Sequence, residues 1–370
     1  MPGNRLTDDY RALFLKPTPM IDLRAPVEYA RGAFPTSISL PLMTDDERAQ
    51  VGIRYKERGQ KAAIELGYSL VAGALRDERI AAWVEFARNF PEGCLYCWRG
   101  GLRSATVQDW LAAEGVDYLR VAGGYKALRN FLLRELERSA EQASFILVSG
   151  RTGTGKTRVI ERLARSVDLE GLANHRGSSF GQFPTPQPSQ INFENALSIA
   201  LLRLLYNGMK TVFLEDEGRL IGRLYLPEVL RQKMKHAPLV TVEESLAERV
   251  DVVLQDYVID LGRRYLLLHG EDGAQLHAEK MQSDLARIGR RLGGARLQQV
   301  SVMMAEAFER QWRSGNPDPH REWIAFLLEK YYDPMYDYQL SNREGRRLFA
   351  GSRDAVIAWA KEWRDHARAD

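Results

Sequence analysis

Residues 144–157 leave a chain little choice of local structure. An apolar run, Phe145-Ile146-Leu147-Val148, feeds Gly150-Arg151-Thr152-Gly153-Thr154-Gly155-Lys156-Thr157, which fits the pattern G-x-x-x-x-G-K-[ST] in full. That pattern needs a strand before it and a helix after it, so it predicts a strand over Ser144–Ser149, a tight loop, and a helix from Lys156. The loop's backbone N–H groups wrap a phosphate, Lys156 adds a point charge, and the Thr157 hydroxyl can hold a metal-bound ligand. The pattern does not say whose phosphates are bound.

Candidate partners for this cradle follow in the same stretch. Thr211–Leu214 reads as a second strand of the same α/β unit, running into Glu215, Asp216 and Glu217. These acids either hold Mg²⁺ through water or form a solvated strand end. Arg219 and Arg223 flank Gly222 and read as pyrophosphate ligands or as ion-pair partners of the acidic triplet. His175, Arg176 and Ser178 open a stretch rich in Gly, Pro, Ser and Gln that must be loop. They read as a substrate loop or as plain connection.

A second anion-handling turn lies upstream. Short apolar runs at Met20–Leu23, Ser37–Leu40, Gly93–Tyr96 and Tyr118–Val121 alternate with helical patterns at Ile80–Phe90 and Ser104–Glu114. Alternation of this kind argues for a parallel sheet with helices on both faces. Cys97 ends the third of these strands and is followed by Trp98, Arg99, Gly100, Gly101, Leu102 and Arg103, then a helix. Such a turn points N–H groups into a concavity, and the helix dipole adds positive potential, so a thiolate there is stabilised and nucleophilic. Arg103 can grip an oxyanion in two places. The Cys97-to-Arg103 spacing also fits a cysteine phosphatase, though Tyr96 stands where such enzymes usually carry His. Cys94 and Cys97 form a C-x-x-C, but Cys94 lies inside the strand and residues three apart on a strand face opposite ways. Cys94 therefore reads as core rather than as a redox partner. A catalytically inert copy of the fold is the remaining alternative.

The sequence thus divides into an α/β unit over 1–135, a phosphate-loop α/β unit over 144–241, and a mainly helical region over 242–370. Helical patterns there cover Val242–Asp260, Gly273–Leu292, Leu297–Ser314 and Glu322–Tyr331. Lys plus Arg number 52 against 49 Asp plus Glu, a formal charge of only +3, so any nucleic-acid partner must be met by a local patch. Arg287, Arg290, Arg291 and Arg296 form a run without an acid and read as a nucleic-acid-contacting stretch or as a solvated helix face. Arg231-Gln232-Lys233-Met234-Lys235-His236 is a second basic run, and Trp98 and Tyr125 are candidates for stacking on a base. No apolar run approaches the roughly 20 residues of a membrane helix. Two cysteines and an N-terminus without a signal-type apolar core point to a reduced, cytoplasmic enzyme.

Two resemblances sharpen this reading. Ile21 to Tyr29, Gly32 to Pro41 and Val121 to Leu128 resemble, in order, the opening and closing blocks of rhodanese domains. That resemblance implies a chalcogen carried on Cys97. A rhodanese-type segment joined to a phosphate loop, with His175-Arg176-Gly177-Ser178, Glu215 to Gly222 and Tyr331-Tyr332-Asp333-Pro334-Met335-Tyr336, resembles the tRNA 2-selenouridine synthase family along essentially the whole chain. The family resemblance implies replacement of sulfur by selenium in a wobble 2-thiouridine, with selenophosphate as donor. The route it implies runs through an S-geranyl intermediate made from geranyl diphosphate. It further implies selenophosphate on the Cys97 loop, diphosphate on the phosphate loop, and a selenophosphate-producing enzyme as partner; Mg²⁺ rests on the acidic strand end alone. Phe180, Phe183, Leu224, Tyr225 and Leu226 are candidates for a prenyl pocket. An ATP-using kinase fused to a rhodanese sulfurtransferase, and a non-enzymatic tRNA- or nucleotide-binding regulator, stay open at this level.

Overall fold

The computed structural model describes residues 5–341 and 346–363. The chain divides into two compact units, residues 1–139 with 189–207, and residues 140–188 with 208–370.

The first unit is built on five parallel strands: β1 (Leu6–Thr7), β2 (Met20–Asp22), β3 (Ser37–Ser39), β4 (Cys94–Tyr96) and β5 (Leu119–Val121), in the order β1-β5-β4-β2-β3. A parallel sheet must be covered on both faces, and alternate residues go to different cores. Ile21, Leu23, Leu95 and Cys97 join one cluster with Trp83, Val107 and Leu111. Met20, Cys94 and Tyr96 join another with Phe34, Leu128 and Leu132. Helices Gly73–Asn89, Leu102–Ala113 and Gly124–Gln142 connect or follow these strands. Sequence reading assigned nothing to 45–70, where a 26-residue helix, Asp45–Leu70, is found, broken at Gly59 by φ 78°. Its start was legible. Thr44 and Glu47 form a capping box, with the Thr44 hydroxyl accepting from Glu47 N and Glu47 Oε2 accepting from Thr44 N at 2.7 Å.

Asp22, at the end of β2, locks this unit. Its carboxylate accepts from Arg24 Nη2 at 2.6 Å and from Tyr96 Oη at 2.8 Å, and all three residues are buried. The same guanidinium donates to Gly32 O at 2.7 Å and lies 3.7 Å from the centre of the Tyr125 ring.

The second unit has strands β6 (Ser144–Ser149), β7 (Ser166–Val167), β8 (Thr211–Glu215), the short hairpin β9 (Leu220–Ile221) and β10 (Leu224–Tyr225), β11 (Leu239–Val242) and β12 (Arg347–Gly351). Its main sheet is parallel in the order β12-β11-β6-β8-β7. β6 and the helix start at Lys156 fall where the sequence placed them. A helical subdomain follows, with helices Leu246–Val253, Leu261–His269, Gly273–Leu292, Gly294–Ser314, Arg321–Leu327 and Asp333–Ser341 around one core that includes Met281, Met304, Phe308 and Trp323.

Two sequence expectations are corrected. Val242 does not open a helix; it ends β11, a buried β-branched run, and the helical period begins only after the Ser245–Glu248 capping box. The region from 242 onward is mainly helical, as expected, and it also returns to the sheet. β12 forms the edge of the phosphate-loop sheet and the helix Arg353–Glu362 supplies Val356, Ile357 and Ala360 to its core. Helix Gln190–Tyr206, which the sequence reading ran into the phosphate-loop unit, contributes Ile199 and Leu202 to the core of the first.

Removing Asp22 leaves Arg24 charged and buried. Asp22→Ala is expected to cost about 3–5 kcal/mol in denaturant unfolding followed by tryptophan fluorescence. Adding Arg24→Met should recover part of the loss. A single variant as stable as the parent would contradict this role.

Candidate functional site

The Cys97 turn is shaped by where its carbonyls go. Cys97 O accepts from Tyr125 N at 2.8 Å and Trp98 O from Lys126 N at 3.1 Å. Gly100 O accepts from Arg120 Nη1 at 2.8 Å, and Gly101 O from the Ser104 hydroxyl at 3.0 Å. With those carbonyls bonded, the loop's N–H groups are the polarity it can offer an anion. The closing Gly123-Gly124 turn is pressed against it. A Cβ on Gly124, whose φ is 58°, would fall 2.2 Å from Cys97 O and 2.4 Å from Gly100 N. Only glycine fits there.

Cys97 Sγ lies 3.3 Å from Ser104 Oγ at the first turn of the helix Leu102–Ala113. Trp98, Arg99, Gly101 and Leu102 are exposed around it. Trp98 stacks on Tyr125 with ring centres 5.3 Å apart; Tyr125 is buried and Trp98 keeps an open face. Arg103 does not stand free. Its Nη1 donates to Glu28 Oε2 at 3.0 Å, and Arg48 pairs with the same oxygen at 3.2 Å. Burial opposes ionisation of Glu28, yet Arg103 and Arg48, with the Ala25 N–H, hold its carboxyl below the usual range. Burial raises the Cys94 thiol to about 12, as suits a core cysteine, and both cysteines are free thiols.

The phosphate loop of the second unit turns through Gly150, Gly153 and Gly155 at positive φ. At Gly150 a side chain would meet Val242 O at 2.6 Å. Lys156 Nζ donates to Gly150 O at 3.0 Å, and Thr157 Oγ1 donates to Glu170 Oε2 at 3.0 Å. The loop borders a polar cavity of about 530 Å³ whose walls include Arg176, Ser178, Asp216, Glu217, Arg291 and Tyr336. A Cβ on Gly177 would lie 2.5 Å from Glu217 Oε1 and 2.7 Å from Glu170 Oε1, so the two carboxylates crowd one spot. Burial and the Glu170 charge push the Glu217 carboxyl up to about 8, although Lys156 opposes the shift.

The predicted supporting residues separate into two groups. Arg176 reaches the cavity while pairing with Asp256 at 2.9 Å, and the Ser178 hydroxyl lies 2.8 Å from Tyr257 Oη. Asp216 holds the Ser149 hydroxyl at 2.9 Å. Glu215 is fully buried, accepts from Leu169 N at 2.9 Å and does not line the cavity. His175 also stands outside the lining, with its Nδ1 buried and without a hydrogen-bond partner. Arg219 and Arg223 are not brought to the phosphate loop: Arg219 lies over the Tyr225 ring and Arg223 donates to Gln187 O at 2.8 Å.

The arginine run divides as well. Arg291 lines the phosphate-loop cavity, Arg287 pairs with Asp284 and donates to Ser179 O, and Arg290 and Arg296 are exposed. Sequence reading gave no role to Glu170, Glu28 or Arg249, which reach their sites from a distance. Asp333, held by Arg249, and the neighbouring Tyr331, Tyr332, Met335 and Tyr336 come from the block noted above for its resemblance, and these four line the cavity.

Residues 143–367 match the family model for the tRNA 2-selenouridine synthase AAA domain. Curated relatives named tRNA 2-selenouridine synthase align along nearly the whole chain. One from Pseudomonas syringae pv. syringae is 52% identical, covering 96% of this chain and 98% of the relative. Others from Pseudomonas fluorescens and Azotobacter vinelandii are 51% and 52% identical, each covering 96% of this chain and 97% of the relative. The phosphate loop and the cysteine turn thus sit in a chain that aligns with these enzymes over 96% of its length, and the chain belongs to the tRNA 2-selenouridine synthase family.

Proposed function

We propose that this enzyme replaces sulfur by selenium at C2 of a wobble 2-thiouridine in tRNA, in two steps assigned to two anion cradles. The carrying observation is that each cradle has its own strand–loop–helix frame and only one holds a thiol. In the first step the thiocarbonyl sulfur attacks C1 of geranyl diphosphate. The C–S bond forms, the C–O bond breaks, and diphosphate leaves into the loop Gly150–Thr157. Alkylation turns a poor leaving group into a good one, and no nucleotide hydrolysis is needed. In the second step selenium from selenophosphate attacks C2 and geranylthiol departs. Selenophosphate is an oxyanion suited to Trp98–Arg103, with Arg103 exchanging Glu28 for the ligand. Selenium stays at the oxidation level of selenide throughout, so the role of Cys97 is to present the selenium of bound selenophosphate to C2 rather than to store oxidised selenium.

Mg²⁺ keeps most of its waters and takes one or two protein oxygens beside substrate phosphates. Thr157 and Asp216 would supply them; among the described residues no cluster of three His, Cys, Asp or Glu forms a cage for an ion. The tRNA backbone is assigned to Arg287, Arg290, Arg291 and Arg296, and the open face of Trp98 to a splayed base. A separate enzyme must supply selenophosphate. No helix among the described residues is long and apolar enough to cross a membrane, and a reduced cytoplasmic setting suits the free thiols.

Cys97→Ser should still make S-geranyl tRNA and stall there. Lys156→Ala should weaken diphosphate binding by about 2–5 kcal/mol and make neither product from 2-thiouridine tRNA, yet retain selenation of pre-geranylated tRNA. Cys94→Ser should cost only stability, about 1–3 kcal/mol for a buried hydroxyl left without a partner. Chromatography of tRNA nucleosides reads all three; loss of geranylation by a folded Cys97→Ser would contradict two separable steps.

The pH dependence follows from Glu217. In the free site burial and the Glu170 charge push its carboxyl up to about 8, so below that pH it favours the neutral form and above it presents a like charge to an arriving diphosphate. Affinity for geranyl diphosphate should therefore fall on the order of tenfold as pH rises through 8, the equivalent of about 1.4 kcal/mol. Glu217→Gln should remove that inflection. Parallel pH profiles for parent and variant would contradict the assignment.

A further inference from the structure

A large apolar cavity of the first unit lies beside the Cys97 turn. It measures about 930 Å³, within the roughly 300–1,000 Å³ of small-molecule pockets. Both arms of the helix broken at Gly59 line it, with Val51, Ile53 and Tyr55 from the first and Ile64 and Tyr68 from the second. Trp110 contributes from the helix that follows the cysteine turn. Ile53 and Tyr55 are each 57% exposed and Tyr68 49%, so this concave wall shows apolar side chains to solvent. Trp98, Leu102 and Arg103 of the cysteine turn are part of the same lining; Arg31 and Lys56 add positive charge, while Arg48 and Arg103 pair with Glu28, which also lines it. The cavity is therefore continuous with the proposed selenium site and combines an apolar wall with cations.

Of the residues first considered for a prenyl pocket, Tyr225 is exposed and Phe183 partly buried. Phe180, Leu224 and Leu226 are buried, and the apolar cavity lined by Phe180 in the second unit measures only about 20 Å³.

We propose that this cavity holds the prenyl chain of the S-geranyl intermediate while selenium is delivered. The inference rests on the two-step reading above and adds where the leaving group sits. The C2–Se bond forms, the C2–S bond breaks, and sulfur departs as geranylthiol with a proton from solvent; Se–P cleavage by water then yields the selenouridine and phosphate. No oxidant or reductant is required. The apolar wall selects a geranylated base over an unalkylated one, so the first step is complete before the second begins. The cations near the cysteine turn serve the selenophosphate and the tRNA backbone rather than the chain.

The test is equilibrium binding of the full-length protein to 2-thiouridine anticodon stem-loops, bare or carrying S-methyl or S-geranyl. The parent should prefer the geranylated stem-loop by at least about tenfold, a difference of roughly 1.4 kcal/mol, and should show little preference for S-methyl. Ile53→Glu, at an exposed position that tolerates charge, and Ile64→Trp, which fills the cavity, should bring the geranyl preference towards one. Thermal unfolding identifies a variant that fails to fold, and Ile53→Glu keeps the test available if Ile64→Trp does. A geranyl preference undiminished in folded Ile53→Glu would overturn the site. Product analysis of the parent with geranyl diphosphate separates the two claims: failure to form S-geranyl tRNA would defeat the two-step reading itself, and this site with it, whereas product formation with an undiminished preference defeats the site alone.

Discussion

A turn can present its N–H groups to an anion only when its carbonyls are bonded elsewhere, and that constraint shapes both units. Around Cys97 the partners are backbone N–H groups of Tyr125 and Lys126, the Arg120 guanidinium and the Ser104 hydroxyl. Gly124 is required because the backbone of the Cys97 turn would stand 2.2 Å from a Cβ there. In the phosphate loop, Arg249 Nε donates to Thr152 O at 2.9 Å and Lys156 Nζ to Gly150 O. The helical subdomain contributes directly to that cradle, since Arg249 is also bound to Asp333.

Both cradles meet an internal carboxylate. Glu28 pairs with Arg103, and Glu170 accepts from Thr157 while crowding Glu217. An arriving oxyanion therefore exchanges one negative partner for another rather than entering an unopposed positive site. In the phosphate loop, burial and the Glu170 charge bias the Glu217 carboxyl towards the neutral form, which lessens the repulsion an anion meets there. The consequence is selectivity: an anion must supply more hydrogen bonds than the carboxylate it replaces.

What the sequence made legible was local. β6, the glycine loop and the helix start at Lys156 occupy consecutive residues, as do β4, Cys97 and the helix behind it, so a short pattern contained their geometry. The pairing of Arg103 with Glu28 spans 75 residues and no local pattern encodes it. β11 was missed and its last residue, Val242, read as a helix start because four buried residues carry no distinguishing period, and β12 followed a long helical stretch without announcing its return to the sheet. The arginine run was visible as charge, yet only its fold shows Arg291 turned to the phosphate-loop cavity and Arg287 engaged by Asp284.

The central claim is an ordered exchange at C2 through an alkylated sulfur. Mass spectrometry of 2-thiouridine tRNA incubated with the enzyme, supplying geranyl diphosphate alone, selenophosphate alone, and both, measures it most directly. The account predicts S-geranyl tRNA in the first case, unchanged tRNA in the second, and 2-selenouridine in the third, all without ATP. Selenium incorporation from selenophosphate alone, or turnover that requires ATP, would contradict it.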